Sequence, residues 1–417
     1  MGLDLIRLPN GVRIALDPMP GLETAAVGVW QRVGARDESA AQNGIAHLFE
    51  HMAFKGAGDR DARQFAEAIE AVGGVMNAST SYERTAYFAR VLAEHAPFAL
   101  DLIADILRAP HWLADDLEKE KGVVAQERGE AFDAPDDHVF EVLQRATFPD
   151  QPLGRPILGA EETVRTVSVE ALHAFRAQHM GPHAVVIAVA GRFDADAVVA
   201  RCAERVGDLG AAPAPKPAPA HASAGAEAHA RKLEQTHLAM SWAAPPAGDE
   251  RAYAHRLMIE IFGGGMASRL FQDVRETRGL VYAIDAFVDA YDDVGRTCVY
   301  AGCAARDAAE VARLTRATLE VLADKGVSDA ELARAKAVAS AQMLMGAESP
   351  SARAEARAAQ VFLRDRLIPF ADVRARLDAV TRDDIAAAAR DTLAGPAAIA
   401  VLGPKAGLGA AAAFQAR

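Results

Sequence analysis

Apolar residues alternate with polar ones, or run uninterrupted, over Gly11–Leu16, Ala25–Val33 and Ala86–Val91. They recur at three- and four-residue intervals over Ile45–Phe54, Ala62–Val72, Pro97–Leu107, Asp116–Phe132 and Asp137–Phe148. A two-residue period predicts strands and a 3.6-residue period predicts helices, so both element types are abundant, with the opening strands expected to form an antiparallel pair. The class this implies is α+β, an antiparallel-rich sheet with helices packed on one face. The pattern also repeats. Val164–Gly191 and Leu377–Gly403 each pass from a hydroxyl N-cap through an amphipathic helix and a Gly-Pro stop to an apolar strand ending in glycine. A period of about 210 residues predicts that one fold is used twice, as two homologous domains. Between the halves, Gly210–Ala230 is mostly Ala, Pro, Gly and Ser, which cannot bury a core and reads as a linker. The expected division is a first domain over 1–209, a linker over 210–230 and a second domain over 231–417.

Composition narrows the class. The chain has 417 residues, 51% hydrophobic and 24% charged, enough for two or three domains with their own cores and incompatible with wholesale disorder or a fibrous protein. A net charge of −12 disfavours a nucleic-acid or anionic-membrane partner. Cys202, Cys298 and Cys303 are odd in number and lack metal-ligand spacing, as expected of free thiols in a reducing compartment. Residues 1–16 carry Asp4, Arg7 and Arg13 and no apolar core of a signal peptide, and Ile6 stands where myristoylation after Gly2 requires a hydroxyl. No apolar stretch approaches the roughly 18 residues of a membrane span. The expectation is a soluble cytoplasmic protein.

The sharpest chemical signal is His47-Leu48-Phe49-Glu50-His51 within a helical pattern. Positions 47, 50 and 51 project from one helix face, so two imidazoles can share a metal with a carboxylate beside it. Zinc accepts that geometry, and Glu50 suits a general base that takes a proton from water and delivers it to a leaving amine. A catalytic zinc needs a third protein ligand and an open position. Glu120 and Glu127, two turns apart on the helix opened by the capping-box pattern Asp115-x-x-Glu118, are the candidates: one to bind the metal, the other to hydrogen-bond a ligand histidine. The comparable stretch of the second half, Tyr253–Phe262, keeps His255 without a metal-binding companion, which predicts a catalytically silent half.

The HxxEH order, followed 76 residues later (51 to 127) by Glu127, resembles the pitrilysin/insulinase family of zinc peptidases, the inverzincins. Within it, the chain looks like the bacterial relatives of the mitochondrial processing peptidase β subunit. The likeness extends through GIAHLFEHMAFKG, VMNASTSYERTAYFARV, VVAQERGEAFDAPDD, LGRPILGAEETV and IFGGGMASRLFQDVRETRGLVYAI, essentially the whole chain. It implies a processing-peptidase-like metallohydrolase fold holding one zinc per chain on His47, His51 and Glu127, with Glu50 as base and Glu120 supporting a ligand histidine. It further implies that Asn77 and Ala78 lie on an edge strand receiving an extended substrate, that Gly264 and Gly265 contact substrate, and that Arg275 and Tyr282 reach the active centre. The activity implied is hydrolysis of short or unfolded peptides inside a closed chamber. That chamber is built by a homodimer, or a pair with a paralogue, in which Arg275 and Tyr282 of one subunit complete the other's site and the linker is the hinge. Two other functions share these features: a non-catalytic scaffold subunit of the same fold, and a metal-dependent lyase of the autoinducer-synthase type.

Overall fold

A computed structural model describes residues 3–213 and 215–416. Met1, Gly2, Ala214 of the expected linker, and Arg417 lie outside the described residues. The first half runs β1 (Asp4–Arg7), β2 (Arg13–Pro18), β3 (Thr24–Gln31), α1 (Ile45–Met52), a short hairpin of β4 (Gly56–Ala57) and β5 (Arg60–Asp61), α2 (Ala62–Ala71), β6 (Val75–Thr80), β7 (Thr85–Leu92), α3 (Ala96–Arg108), α4 (Ala114–Asp133), α5 (Pro135–Thr147), α6 (Glu161–Thr166), α7 (Val169–His179), β8 (Val185–Gly191) and α8 (Ala195–Val206). The second half runs β9 (Gly225–Ala230), β10 (Thr236–Ala244), α9 (Ala252–Phe262), a π-helical turn (Phe271–Thr277), β11 (Val281–Ala290), β12 (Gly295–Cys303), α10 (Ala308–Lys325), α11 (Asp329–Gly346), α12 (Pro350–Arg364), α13 (Phe370–Ala379), α14 (Arg382–Ala394), β13 (Ala397–Gly403) and α15 (Ala410–Gln415).

The duplication is visible in strand order. The first sheet is β1-β2-β8-β3-β7-β6 and the second β11-β12-β10-β13-β9. Read from β6 and from β11, the two coincide: antiparallel at the first three junctions, then parallel where β2 meets β8 and β9 meets β13. β8 reads VVIAVAG with every residue buried, the uninterrupted apolar run of a central strand covered on both faces. It sits between β2 and β3, so the two long opening strands do not pair with each other; the antiparallel partner of β2 is the shorter β1. The expected linker also changes character. Its last residues, Gly225–Ala230, form β9, because the free edge of β13 offers backbone groups that an exposed Ala-rich segment can satisfy without burying side chains.

The chain divides into two compact units that are discontinuous in sequence: Met1–Arg128, Arg155–Ala218 and Leu344–Pro369 in one, and Gly129–Gly154, Pro219–Met343 and Phe370–Arg417 in the other. The reason lies in α5 and α12. Most helices of each unit pack on one sheet face, and the opposite face is covered by one helix from the other half of the sequence. In the first unit Ala354, Ala358, Val361 and Phe362 of α12 bury against Ala15, Ala26, Ala188 and Ala190, small side chains that let the helix lie close to the sheet. Asp17 of β2, 2% exposed, fixes it by accepting from Arg357 Nε at 2.7 Å and from Arg353. In the second unit Val139, Val142, Leu143 and Ala146 of α5 cover Ala239, Ala398 and Ala400. Each amphipathic stripe needs an apolar surface, and a helix face is stable only where one is presented to it.

Candidate functional site

α1 buries Ile45, Ala46, Leu48, Phe49 and Met52 in the core of the first unit, which leaves His47, Glu50 and His51 on the opposite face. Entry to the helix is made by Gly44 at φ +98°; a Cβ there would lie 2.6 Å from Val164 Cγ2 and 2.9 Å from Gly159 Cα, so only glycine fits. On α4, half of whose residues are charged, only Leu117, Glu120 and Val124 are buried. Continuing that stripe by three residues brings Glu127 to the same side. The helix starts at Ala114, so Asp115 stands in its first turn rather than as its cap.

The two faces meet. Glu127 Oε2 lies 3.4 Å from His51 Nε2 and 3.8 Å from His47 Nε2, and one ligand atom from each of the three residues falls within 4.8 Å of the others. Tetrahedral zinc with N and O ligands at about 2.1 Å holds them roughly 3.4 Å apart, so the donor set fits that ion. Burial, then the neighbouring His51, drives the His47 pKa down to about 4, which keeps the imidazole neutral and its lone pair available. Glu120 does not join the cluster. Its Oε2 is 2.8 Å from His51 Nδ1 and its Oε1 2.6 Å from Lys55 Nζ. Burial would raise its carboxyl, yet the hydrogen bonds from Lys55 and His51 outweigh that and hold it below the usual range. An ionised Glu120 accepts the Nδ1 proton of His51 and so frees Nε2 to face Glu127. Of the two carboxylates that spacing leaves open, Glu127 lies among the candidate metal donors and Glu120 lies against His51 Nδ1.

Glu50 is half-buried, and one of its oxygens, Oε2, is buried with no hydrogen-bond partner among the described residues. Burial raises its pKa, opposed by the Thr80 hydroxyl and His51. A carboxylate with an unsatisfied oxygen beside a set of candidate metal donors can accept a proton. Tyr87 of β7, fully buried with an unpartnered hydroxyl, feels the same carboxylate. Tyr87, Thr80 and Lys55 were not singled out by the motif; Lys55 lies in the turn just beyond the end of α1.

β6 ends its sheet and runs beside α1, with Asn77 exposed and Ala78 buried. Asn77 Oδ1 accepts from the backbone N–H of Ala78 at 2.9 Å. The remaining residues singled out lie in the second unit. The Arg275 guanidinium stands 4.5 Å from the Phe271 ring and 5.6 Å from the Tyr282 ring, and Tyr282 is 78% exposed. A Cβ on Gly264 would lie 2.8 Å from Glu260 Cα, so the close turn after α9 requires glycine there; at Gly265 the nearest atom is 3.5 Å away and no such demand exists. Among the described residues no helix is long and apolar enough to cross a membrane.

Comparison with known proteins gives the family of the chain. The family model described as Insulinase (Peptidase family M16) matches residues 13–161, and the one described as Peptidase M16 inactive domain matches residues 166–338. An uncharacterized zinc protease of Streptomyces coelicolor is 35% identical over 406 residues, covering 95% of this chain and 88% of that protein. One from Bacillus subtilis is 34% identical over 396 residues, covering 95% and 97%. Among solved structures, a protease from Helicobacter pylori superposes with a TM-score of 0.88 at 20% identity, covering 96% of this chain and 99% of that one. Complex III from Candida albicans contains a chain that superposes at 0.84 and 20% identity, covering 96% of each. With two family domains in tandem and relatives above 30% identity along nearly its whole length, the chain belongs to the insulinase family of peptidases.

Proposed function

We propose that the protein is a zinc-dependent endopeptidase that hydrolyses short or unfolded peptides. The observation that carries this reading is the convergence of His47 Nε2, His51 Nε2 and Glu127 Oε2 beside the unsatisfied Glu50 Oε2. Zinc, one per chain, would be held by those three atoms and would supply Lewis-acid activation of water and of the scissile carbonyl. Glu50 accepts the proton of the attacking water and returns it to the leaving amine, so that water and a peptide bond become a carboxyl group and an amine. Glu120 keeps His51 in the tautomer that ligates through Nε2. The edge of β6 at Asn77 and Ala78 binds an extended backbone as an added strand, which favours unfolded over folded substrates. Gly264 and Gly265 offer close backbone contact to the same chain.

Tyr282 donates a hydrogen bond to the carbonyl oxygen as charge develops on it, with Arg275 alongside. In this reading two copies of the chain close a chamber, Arg275 and Tyr282 of one subunit serve the metal site of its partner, and the hinge expected over 210–230 is confined to 210–224, because Gly225–Ala230 is held in the sheet as β9. Identical subunits are favoured over a paralogue because closed two-fold dimers are the commonest assembly. Support for the shared site is the exposure of Tyr282, which a residue buried for stability would not show. A cytoplasmic setting is in keeping with three cysteines that are all free and buried. The test is cleavage of a quenched peptide library with and without a chelator, followed by mixing inactive Glu50→Gln and Tyr282→Phe chains. Chelator-sensitive cleavage and recovered activity in the mixture are expected. A chain that retains zinc without cleaving any peptide would point to the scaffold reading, for which the Complex III likeness is the precedent of fold.

A further inference from the structure

α1 has no cap of its own: Gly44 at its N-cap carries no side chain to accept the first free amides. Glu38, six residues earlier in the chain and 3% exposed, does this from outside the helix. Its Oε2 accepts from Gly44 N at 2.9 Å and Asn43 Nδ2 at 3.0 Å, and its Oε1 accepts from Ala46 N at 2.8 Å. Both oxygens are thus committed to the entrance of the helix whose next residue is His47. Burial pushes the carboxyl up to about 7 even against these three donors.

The same network grips a second segment. Asn43 donates through Nδ2 to Pro156 O at 3.0 Å, accepts at Oδ1 from Ala160 N at 3.2 Å, and accepts at its carbonyl from Thr163 Oγ1 at 2.6 Å. Arg155 donates to the Glu38 carbonyl. A Cβ on Gly159 would lie 2.6 Å from both Asn43 O and Gly44 Cα, so the two backbones touch. This strap, residues 155–163, lies within the block LGRPILGAEETV, to which the metal chemistry assigns nothing. At its far end Glu161 accepts from Arg128 at 2.6 Å, and Arg128 follows Glu127 on α4. One frame therefore reaches both helices that carry the cluster: α1 through Glu38 and Asn43, α4 through Glu161 and Arg128.

We infer that Glu38 is a positioning residue for the metal centre, locking the entrance of α1 to the 155–163 strap and thereby setting His47, Glu50 and His51 against Glu127. The inference rests on the peptidase reading for its activity arm. Glu38→Gln keeps the shape but turns an amide N–H toward amides that need an acceptor. In the full-length chain it should retain stoichiometric zinc, lower kcat about 10- to 100-fold with KM changed less than about 3-fold, as small displacements of reacting groups do. It should also alter the visible absorption of the cobalt-substituted protein, a readout of ligand geometry that a loss of global stability would leave alone, and speed hydrogen exchange at Gly44–Ala46. Arg155→Met should move every readout in the same direction by less, and it carries the test if Glu38→Gln does not fold. Wild-type kcat with an unchanged cobalt spectrum in both variants would overturn the inference. If the wild-type chain cleaves no peptide, the peptidase reading falls, and the cobalt and exchange readouts alone decide the role of Glu38.

Discussion

α1 and α9 occupy the same place in the two halves, each following the strand that pairs with both a central and a near-edge neighbour, and they use the same histidine differently. His47 and His255 are both the third residue of an I/Y-A-H run, and burial pushes both down to about 4. Around His47, the next turn carries Glu50 and His51, and α4 brings Glu120 and Glu127. Around His255, the next turn carries Met258 and Ile259, both buried, and Nε2 is spent on Thr297 Oγ1 at 2.8 Å. α11, which follows α10 as α4 follows α3, buries only the small apolar Ala335 and Ala339, whereas α4 buries a carboxylate between apolar residues. One scaffold thus makes a cluster that could hold a metal, or a plain core, according to a handful of side chains on two helices. A buried histidine is not a ligand by virtue of burial; it becomes one when its neighbours are polar and leave its lone pair free.

The largest expected effect breaks that contrast outright. His51→Ala should abolish stoichiometric zinc and with it peptide cleavage, because the remaining two donors fall short of the three protein ligands a catalytic zinc needs. His255→Ala should leave both unchanged. Metal analysis of the two purified variants decides it: zinc retained by the first, or lost by the second, assigns the site to the wrong helix. Next in size, Glu50→Gln should keep zinc and lose about 10²–10⁴-fold in turnover, the typical worth of a general base. Wild-type rates in this variant would remove Glu50 from the chemistry while leaving the ligand set intact.

How much of this contrast was readable beforehand follows from what periodicity encodes. The 47/50/51 face of α1 and the Leu117-Glu120-Val124-Glu127 stripe of α4 are local, and local spacing locates them within a residue or two. The duplication was readable for the same reason, in the matched helix and strand before Gly191 and before Gly403. What escaped depends on long-range pairing. β8 slips between β2 and β3, and α5 and α12 each cover the sheet assembled from the other half, choices made by complementary apolar surfaces far apart in sequence. Residues 225–230 are compositionally a linker and become a strand only because the edge of β13 is there to pair with. Tyr87 lies inside the block VMNASTSYERTAYFARV without being singled out, Glu38 lies in none of the blocks, and burial beside a carboxylate and at a helix entrance is what marks them.

A smaller effect tests the support beneath the ligands. Glu120→Gln removes the charge that orients His51 and leaves Lys55 without its carboxylate partner. Loss of such a hydrogen bond to a ligand histidine typically weakens metal affinity about 10–100-fold. Competition with a chromogenic chelator should show this shift while zinc at saturation stays at one per chain. An unchanged affinity would mean that packing alone orients the ring.

The smallest effect concerns the second half. The folded second unit holds His255 neutral down to about pH 4, whereas the unfolded chain takes up that proton near the ordinary value of 6.5. The unfolded state therefore binds more protons between those values, so stability must fall as pH drops through 6.5, with the loss complete near 4. Above 6.5 both states are neutral and the term vanishes. His255→Gln keeps a group able to bond Thr297 Oγ1 but has nothing to titrate. Its thermal midpoint should be somewhat lower at pH 7, from imperfect packing, yet should decline less steeply than wild type between pH 6.5 and 4.5. Comparing the two slopes cancels every group the proteins share. The same shift at His47 acts on the metal side as well, but there protons compete with zinc for one nitrogen, so added zinc should flatten the first unit's dependence and leave that of His255 untouched. Parallel slopes for wild type and His255→Gln would show that burial of this histidine does not set the acid limb.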